Sequence, residues 1–162
     1  MGRISKEKEL DFLARVAERM KGEEGMAFAF VGEGPFLPEL KKKLPHGIFT
    51  GPLHGADLSR AYASADLFVF PSTTDTYGNV VIEALASGLP VLVSDQGGPK
   101  ELLRNPEDGL VLLGGEGEWE AAIRKWLGSG GHPNGAKSRR DRTVAGRKWE
   151  DAFRRFWEDG LL

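Results

Sequence analysis

Asp75 and Glu83 stand either side of a Tyr-Gly-Asn turn in "TDTYGNVVIEALASGLPVLVSDQGGPKE", residues 74–101. The turn reads as a helix start near Gly78 or Asn79. The first N–H groups of a helix have no partner within it and carry partial positive charge, which makes an anion site. Gly78 has no side chain, so a phosphate can come close to the backbone there. Glu83 follows Asn79 by one helical turn and falls on the same side. Carboxylates beside a phosphate repel it unless they accept hydrogen bonds from hydroxyls on the groups flanking it. Cations must then neutralise the phosphate. Arg3 and Lys8, in "GRISKEK", supply a guanidinium fork and a point charge. The ligand so described is a diphosphate between two hydroxyl-bearing groups, as in a nucleotide-sugar. The same residues also allow a plainer reading, in which Asp75 caps a helix, Glu83 is solvated, and Arg3 and Lys8 are surface charges. On residue types alone the two readings stand level.

The elements that would position these groups alternate along the chain. "FAFVG" (residues 28–32), "GIFTG" (47–51), "DLFVFPS" (66–72), "PVLVSD" (90–95) and "GLVLL" (109–113) are short apolar runs bounded by Gly, Pro or Asp. Runs apolar on both faces suit buried parallel strands. Leu10, Leu13, Val16, Ala17 and Met20 form one helical stripe, and residues 56–65 and 79–87 form two shorter ones. Gly88 and Pro90 stop the last. Strand alternating with helix predicts an α/β fold, a Rossmann-like doubly wound parallel sheet with helices on both faces. Ligands of such sheets bind beyond the carboxyl ends of the strands, where "TTDTYGN" lies after "DLFVFPS".

The 162 residues suffice for one domain, residues 1–162, with a helical segment at 138–159 joined through the flexible-looking "GSGGHPNGAK". A net charge of −2 gives no drive toward nucleic acid or an anionic membrane. With no cysteine there is neither a disulfide framework nor a thiolate metal site, which fits a reducing compartment, and a cytoplasmic location is expected. No apolar run is long enough to span a bilayer, and the charged start "MGRISKEKEL" has no signal-peptide core.

Several tempting features reduce to plain ones. "GEGPFL" (32–37) opens like a dinucleotide fingerprint but has Leu37 in place of the third glycine, and reads as a strand-to-helix turn. "KKK" (41–43) reads as a solvated helix end, favourable to the dipole. His46, His54 and His132 lack ligand spacing to a carboxylate, so no metal site is expected. There is neither a Walker loop nor a Gly-x-Ser-x-Gly elbow. "GRKWEDAFRRFWEDGLL" carries Trp149, Phe153, Phe156 and Trp157 at helical spacing. Its acids offset its bases, so it reads as a helix packing on protein rather than on a membrane surface.

Taken together, "GRISKEKEL", "FVGEGPFLPELKK", "IFTGPLHGADLSRAYASADLFVFPS" and the 74–101 stretch resemble the C-terminal domain of the family 4 (group 1) glycosyltransferases, one half of a GT-B fold. The resemblance covers nearly the whole chain. It implies that Arg3 and Lys8 hold the donor diphosphate, that Asp75 lies by the donor sugar, and that Glu83 binds the ribose. It implies further that the backbone amides from Tyr77 through Gly78 and Asn79 to Val80 touch phosphate and sugar, and that the segment from Gly51 to Leu53 faces the base. The commoner first acid of that family is Glu, and Asp75 is one methylene shorter, so its sugar contact takes a different pose or is bridged by water. The Thr-Asp-Thr-aromatic-Gly-Asn variant resembles a subset with lipid acceptors, although no membrane contact is expected from this domain itself.

The implied activity is metal-independent, cofactor-free retaining transfer from a nucleotide-diphosphate sugar to an unidentified acceptor. The resemblance also implies a missing N-terminal acceptor domain, and hence a fragment or one product of a split gene. The alternative is a donor-binding module inactive without that domain. A nucleotide-free doubly wound interaction domain is a third reading, against which Arg3, Lys8, Asp75 and Glu83 argue together. Finally, the fold implied has a central strand ahead of Gly2, between "FAFVG" and "DLFVFPS". Only Met1 precedes Gly2 here, so these neighbours are expected to pair directly or to admit a strand from another copy, leaving Arg3 and Lys8 without a rigid anchor.

Overall fold

The computed structural model describes residues 1–128. The segments 129–137 and 138–159, with His132 and the aromatic stripe, lie outside the described residues. Five strands alternate with five helices: α1 (Leu10–Arg19), β1 (Ala29–Val31), α2 (Leu37–Lys43), β2 (Ile48–Gly51), α3 (Gly55–Ser64), β3 (Phe68–Phe70), α4 (Asn79–Ala86), β4 (Val91–Ser94), β5 (Gly109–Leu112) and α5 (Glu116–Gly128). Each apolar run is a strand, trimmed by a residue or more at its ends. All pairings are parallel, so the α/β expectation holds.

The helices bury the faces that their periodicity marks. On α1, Leu13, Ala14 and Ala17 pack with Phe30, Phe36 and Leu40. Val16 and Met20 face Leu92, Trp119 and Ile123 instead. Ion pairs fasten α1 to α5, Arg15 to Glu116 and Arg19 to Glu120. On the other side of the sheet, α3 and α4 enclose Tyr62, Val81, Ala84, Phe68 and Phe70. The lysine run does more than face solvent: Lys43 pairs with Asp11, and the Lys41 ammonium lies 5.7 Å from the Phe49 ring centre.

The sheet is in two hydrogen-bonded pieces, β1–β2 and β3–β4–β5. The expected direct pairing of β1 with β3 does not occur. The reason lies in the first residues of the chain. Gly2 N–H donates to Val31 O (2.9 Å) and Ile4 N–H to Glu33 O (2.8 Å), a short parallel pairing past the end of β1. Met1 packs against the cluster around Phe68 and Phe70, while Ile4 is buried against α1 and α2. The segment thus wedges between the two pieces. Nor are Arg3 and Lys8 left adrift, because a third bond, Phe36 N–H to Ile4 O (3.1 Å), ties down the backbone beside Arg3.

This crossing explains the "VGEGP" loop. A Cβ on Gly32 would lie 1.8 Å from Gly2 O, and one on Gly34 would lie 2.2 Å from Ile4 O. The glycines admit the backbone that carries Arg3, and the turn is the plain strand-to-helix connection that the sequence implied.

Below the wedge, a groove of about 1000 Å³ separates β1 from β3, with Ala29, Val31 and Val69 among its lining. Since Phe28 and Gly32 bond toward β2, alternation turns Ala29 and Val31 to the groove edge. Phe68 N–H bonds to Pro90 O, so Val69 likewise faces the groove. Hydrogen exchange followed by NMR therefore finds the Val69 amide exchanging at least tenfold faster than that of Phe68 or Phe70. Equal protection at all three would contradict the two-piece sheet.

Candidate functional site

The loops at the carboxyl ends of the strands converge at one edge, where ligands of open parallel sheets bind. The 3-10 turn Lys6–Lys8 sits against the loop after β3. Ser72 Oγ and Thr74 Oγ1 both donate to Glu7 O, at 3.3 and 3.1 Å. These bonds place Lys8 over the loop, with its ammonium 5.6 Å from the Phe70 ring centre. Lys8 Nζ donates to Asp75 Oδ2 at 2.5 Å. Both side chains are mostly withdrawn from water.

Asp75 is the hub of the loop. Its Oδ1 accepts from Tyr77 N–H (3.1 Å) and Gly78 N–H (2.7 Å). Burial alone would raise its pKa. The Lys8 hydrogen bond, the Gly78 amide, the Lys8 charge and the Tyr77 amide outweigh that, and the carboxyl lies below its usual range. Two of the backbone amides that the sequence reading offers to a phosphate, those of Tyr77 and Gly78, are therefore held by Asp75. Gly78 is the N-cap of α4, with φ 66°, a left-handed conformation suited to glycine. Val81 and Ile82 N–H bond back to Gly78 O. The amides of Asn79 and Val80, ahead of them, have no intrahelical acceptor. Gly78 is buried, Asn79 exposed and Val80 half-buried.

Glu83 follows on the same helix, half-buried, with its Oε2 accepting from Tyr62 Oη at 2.7 Å. Arg3 is exposed and has no ion-pair partner among the described residues. Gly51 ends β2 and accepts from Gly32 N–H. Leu53, two residues on, is half-buried. Tyr77 is 59% exposed, its ring in solvent beside the helix start. Asp75, Gly78 and Glu83 thus share one loop and helix, to which the turn Lys6–Lys8 brings Lys8, whereas Arg3 lies on the first segment of the chain, Gly51 at the end of β2 and Leu53 just beyond it. Among the described residues no group of three or more His, Asp or Glu could hold a metal ion, and no helix is long and apolar enough to cross a membrane.

Two supporting positions escaped the sequence reading. Gly98 N–H donates to Asp75 O (3.1 Å), and a Cβ there would lie 2.0 Å from Thr76 O. Gly98 thus lets the loop after β4 brace the acidic loop. The signal was there in the Gly-Gly-Pro that follows a strand. Tyr62 is the other, and no local pattern marks it, because its partner is 21 residues away on another helix.

Known proteins share the family and the fold. A family model described as "Glycosyl transferases group 1" matches residues 1–129. The chain is 38% identical over 128 residues to the sulfoquinovosyl transferase SQD2 of Arabidopsis thaliana, covering 77% of this chain and 24% of that protein. It is 41% identical over 112 residues to a GDP-mannose-dependent alpha-mannosyltransferase of Mycolicibacterium smegmatis, covering 69% and 29%. The chain therefore spans about a quarter of the length of these relatives. Among solved structures, Anabaena HepE in complex with UDP superposes with a TM-score of 0.70 at 20% identity, over 98% of this chain and 47% of that one. The catalytic domain of cholesterol-alpha-glucosyltransferase from Helicobacter pylori gives 0.69 at 19% identity, over 94% and 92%. These likenesses show the GT-B fold. By the match of the family model across most of its length, the chain belongs to the group 1 glycosyltransferases.

Proposed function

We propose that this domain binds the nucleotide-diphosphate sugar donor of a retaining glycosyltransferase, and that another domain supplies the acceptor. The observation that carries this reading is the meeting of Lys8 with the start of α4, one turn from Glu83. The SQD2 and mannosyltransferase relatives are transferases by name, and HepE was solved with UDP. Arg3, Lys8 and the amides of Asn79 and Val80 receive the diphosphate. Glu83 accepts from ribose hydroxyls, and the segment from Gly51 to Leu53 faces the base. In transfer, the bond from the anomeric carbon to the diphosphate oxygen breaks, and negative charge grows on the leaving group. Fixed cations and helix amides stabilise that charge without reorganising. The cysteine-free composition supports a cytoplasmic site of action.

Asp75 has two parts in this reading. Its carboxylate neutralises Lys8 and holds the Tyr77 and Gly78 amides. An arriving diphosphate competes for Lys8 and releases one carboxylate oxygen toward the donor sugar. A second reading, a donor-binding module without transfer activity of its own, rests on the same residues. An activity assay with and without an upstream acceptor domain separates the two.

Four outcomes are expected. Calorimetry with uridine, guanosine and adenosine diphosphates gives binding of at least one, unchanged by chelator; binding abolished by chelator would contradict the metal-free reading. Glu83→Ala weakens that nucleotide by about tenfold, the worth of a charged hydrogen bond, and leaves inorganic diphosphate within about twofold. Equal losses would remove the ribose role. Asp75→Asn keeps an acceptor for the loop amides but frees Lys8, so inorganic diphosphate binds several-fold tighter. The same variant tests the pH dependence. Because the folded pKa of Asp75 is depressed, its contribution to stability is present above about pH 4 and is lost as pH falls through the folded value. Urea unfolding across that window loses this component in Asp75→Asn. An unchanged acid profile would contradict it.

A further inference from the structure

Tyr62 lies on α3, outside the loops that form the site, and is 1% exposed. Its ring packs against Phe68, with centroids 6.0 Å apart. Its hydroxyl is 2.7 Å from Glu83 Oε2 and 3.3 Å from Val80 O. A phenol has one proton to give. The shorter contact, to a charged acceptor, takes it. Burial first, and then the hydrogen bond and charge of Glu83, push the phenol above its usual range, so it stays a donor throughout the working pH range. A packed core residue thus reaches out of α3 to hold one oxygen of a carboxylate on α4. Among the described residues, Oε1 of Glu83 has no hydrogen-bond partner.

A glutamate on a helix surface ordinarily samples several rotamers, and a hydroxyl ligand must then pay for its ordering. Here the ordering is done by the core. We propose that Tyr62 is a positioning residue for Glu83: its hydroxyl locks Oε2 and so aims Oε1 at a ribose hydroxyl, and this contact sets the preference of the site for ribose over deoxyribose nucleotides. The inference rests on the reading of Glu83 as the ribose acceptor. It adds that selectivity at the ligand is decided by a residue that does not touch it.

The test uses the whole chain and calorimetry. The probes are the tightest-binding of the three nucleoside diphosphates, its 2′,3′-dideoxy counterpart, and inorganic diphosphate. The wild type prefers the ribonucleotide by about tenfold. Tyr62→Phe, which removes one oxygen and keeps the ring, cuts that preference to about threefold or less while inorganic diphosphate stays within about twofold. In a Glu83→Ala background, Tyr62→Phe has no further effect on the preference. A purely structural role would lower stability and weaken all three probes alike. If Tyr62→Phe keeps the full ribose preference, the positioning role is overturned and the ribose reading stands. If the wild type shows no preference, the ribose reading falls, and the role of Tyr62 with it. Should Tyr62→Phe fail to fold, a crystal structure of the wild type with the nucleotide decides: Tyr62 Oη still on Glu83 Oε2 with Oε1 on a ribose hydroxyl supports the positioning role, and a Glu83 carboxylate turned away from Tyr62 overturns it.

Discussion

The contact between Lys8 and Asp75 joins the two parts of the chain on which the site depends. Lys8 comes from a segment braced by Gly2, Ile4 and Phe36 on the β1 side. Asp75 comes from the loop after β3. No strand hydrogen bond links β1 to β3, so the cation and the helix start are brought together by other means. The wedge of residues 1–4, the helix α1 packed across both pieces, and the hydroxyls of Ser72 and Thr74 on Glu7 O together do so. A buried carboxylate with neither Lys8 nor the loop amides would be costly. With both, it stays charged and fixes the geometry of the loop.

The site pairs charges of both signs. Asp75 holds Lys8, and in the proposed reading a diphosphate offers Lys8 the same kind of oxygen acceptor with more charge. In that reading the amides of Asn79 and Val80 and the guanidinium of Arg3 receive the rest of the diphosphate. This division agrees with the depressed pKa of Asp75 and with its mostly withdrawn side chain. In the proposed reading it also explains why an acid can stand beside a phosphate without defeating it.

Much of this was legible in the residues. Short apolar runs bounded by Gly and Pro became parallel strands because a strand covered on both faces needs no polar alternation. The stripe on α1 was legible too, as was the start of α4 at Asn79, since Gly78 can take the left-handed turn ahead of it. Contacts between distant segments were not legible. The Tyr62–Glu83 hydrogen bond, the bracing of Asp75 O by Gly98 N–H, and the passage of Gly2 and Ile4 over Gly32 and Gly34 each join residues whose proximity only the tertiary fold creates. The separation of β1 from β3 was missed for a related reason. Strand pairing was reasoned from edges alone, whereas apolar burial of Met1 and Ile4 in different clusters keeps the edges apart.

The central claim is that a diphosphate replaces Asp75 on Lys8 and seats on the start of α4. Titration of the isotope-labelled chain with a nucleoside diphosphate, followed by NMR of backbone amides and lysine ammonium groups, tests it most directly. The account predicts the largest shifts at the amides of Asn79 and Val80 and at Lys8 Nζ, with smaller ones at Tyr77 and Gly78 as Asp75 is released. Saturable binding that leaves Asn79, Val80 and Lys8 unmoved would contradict it.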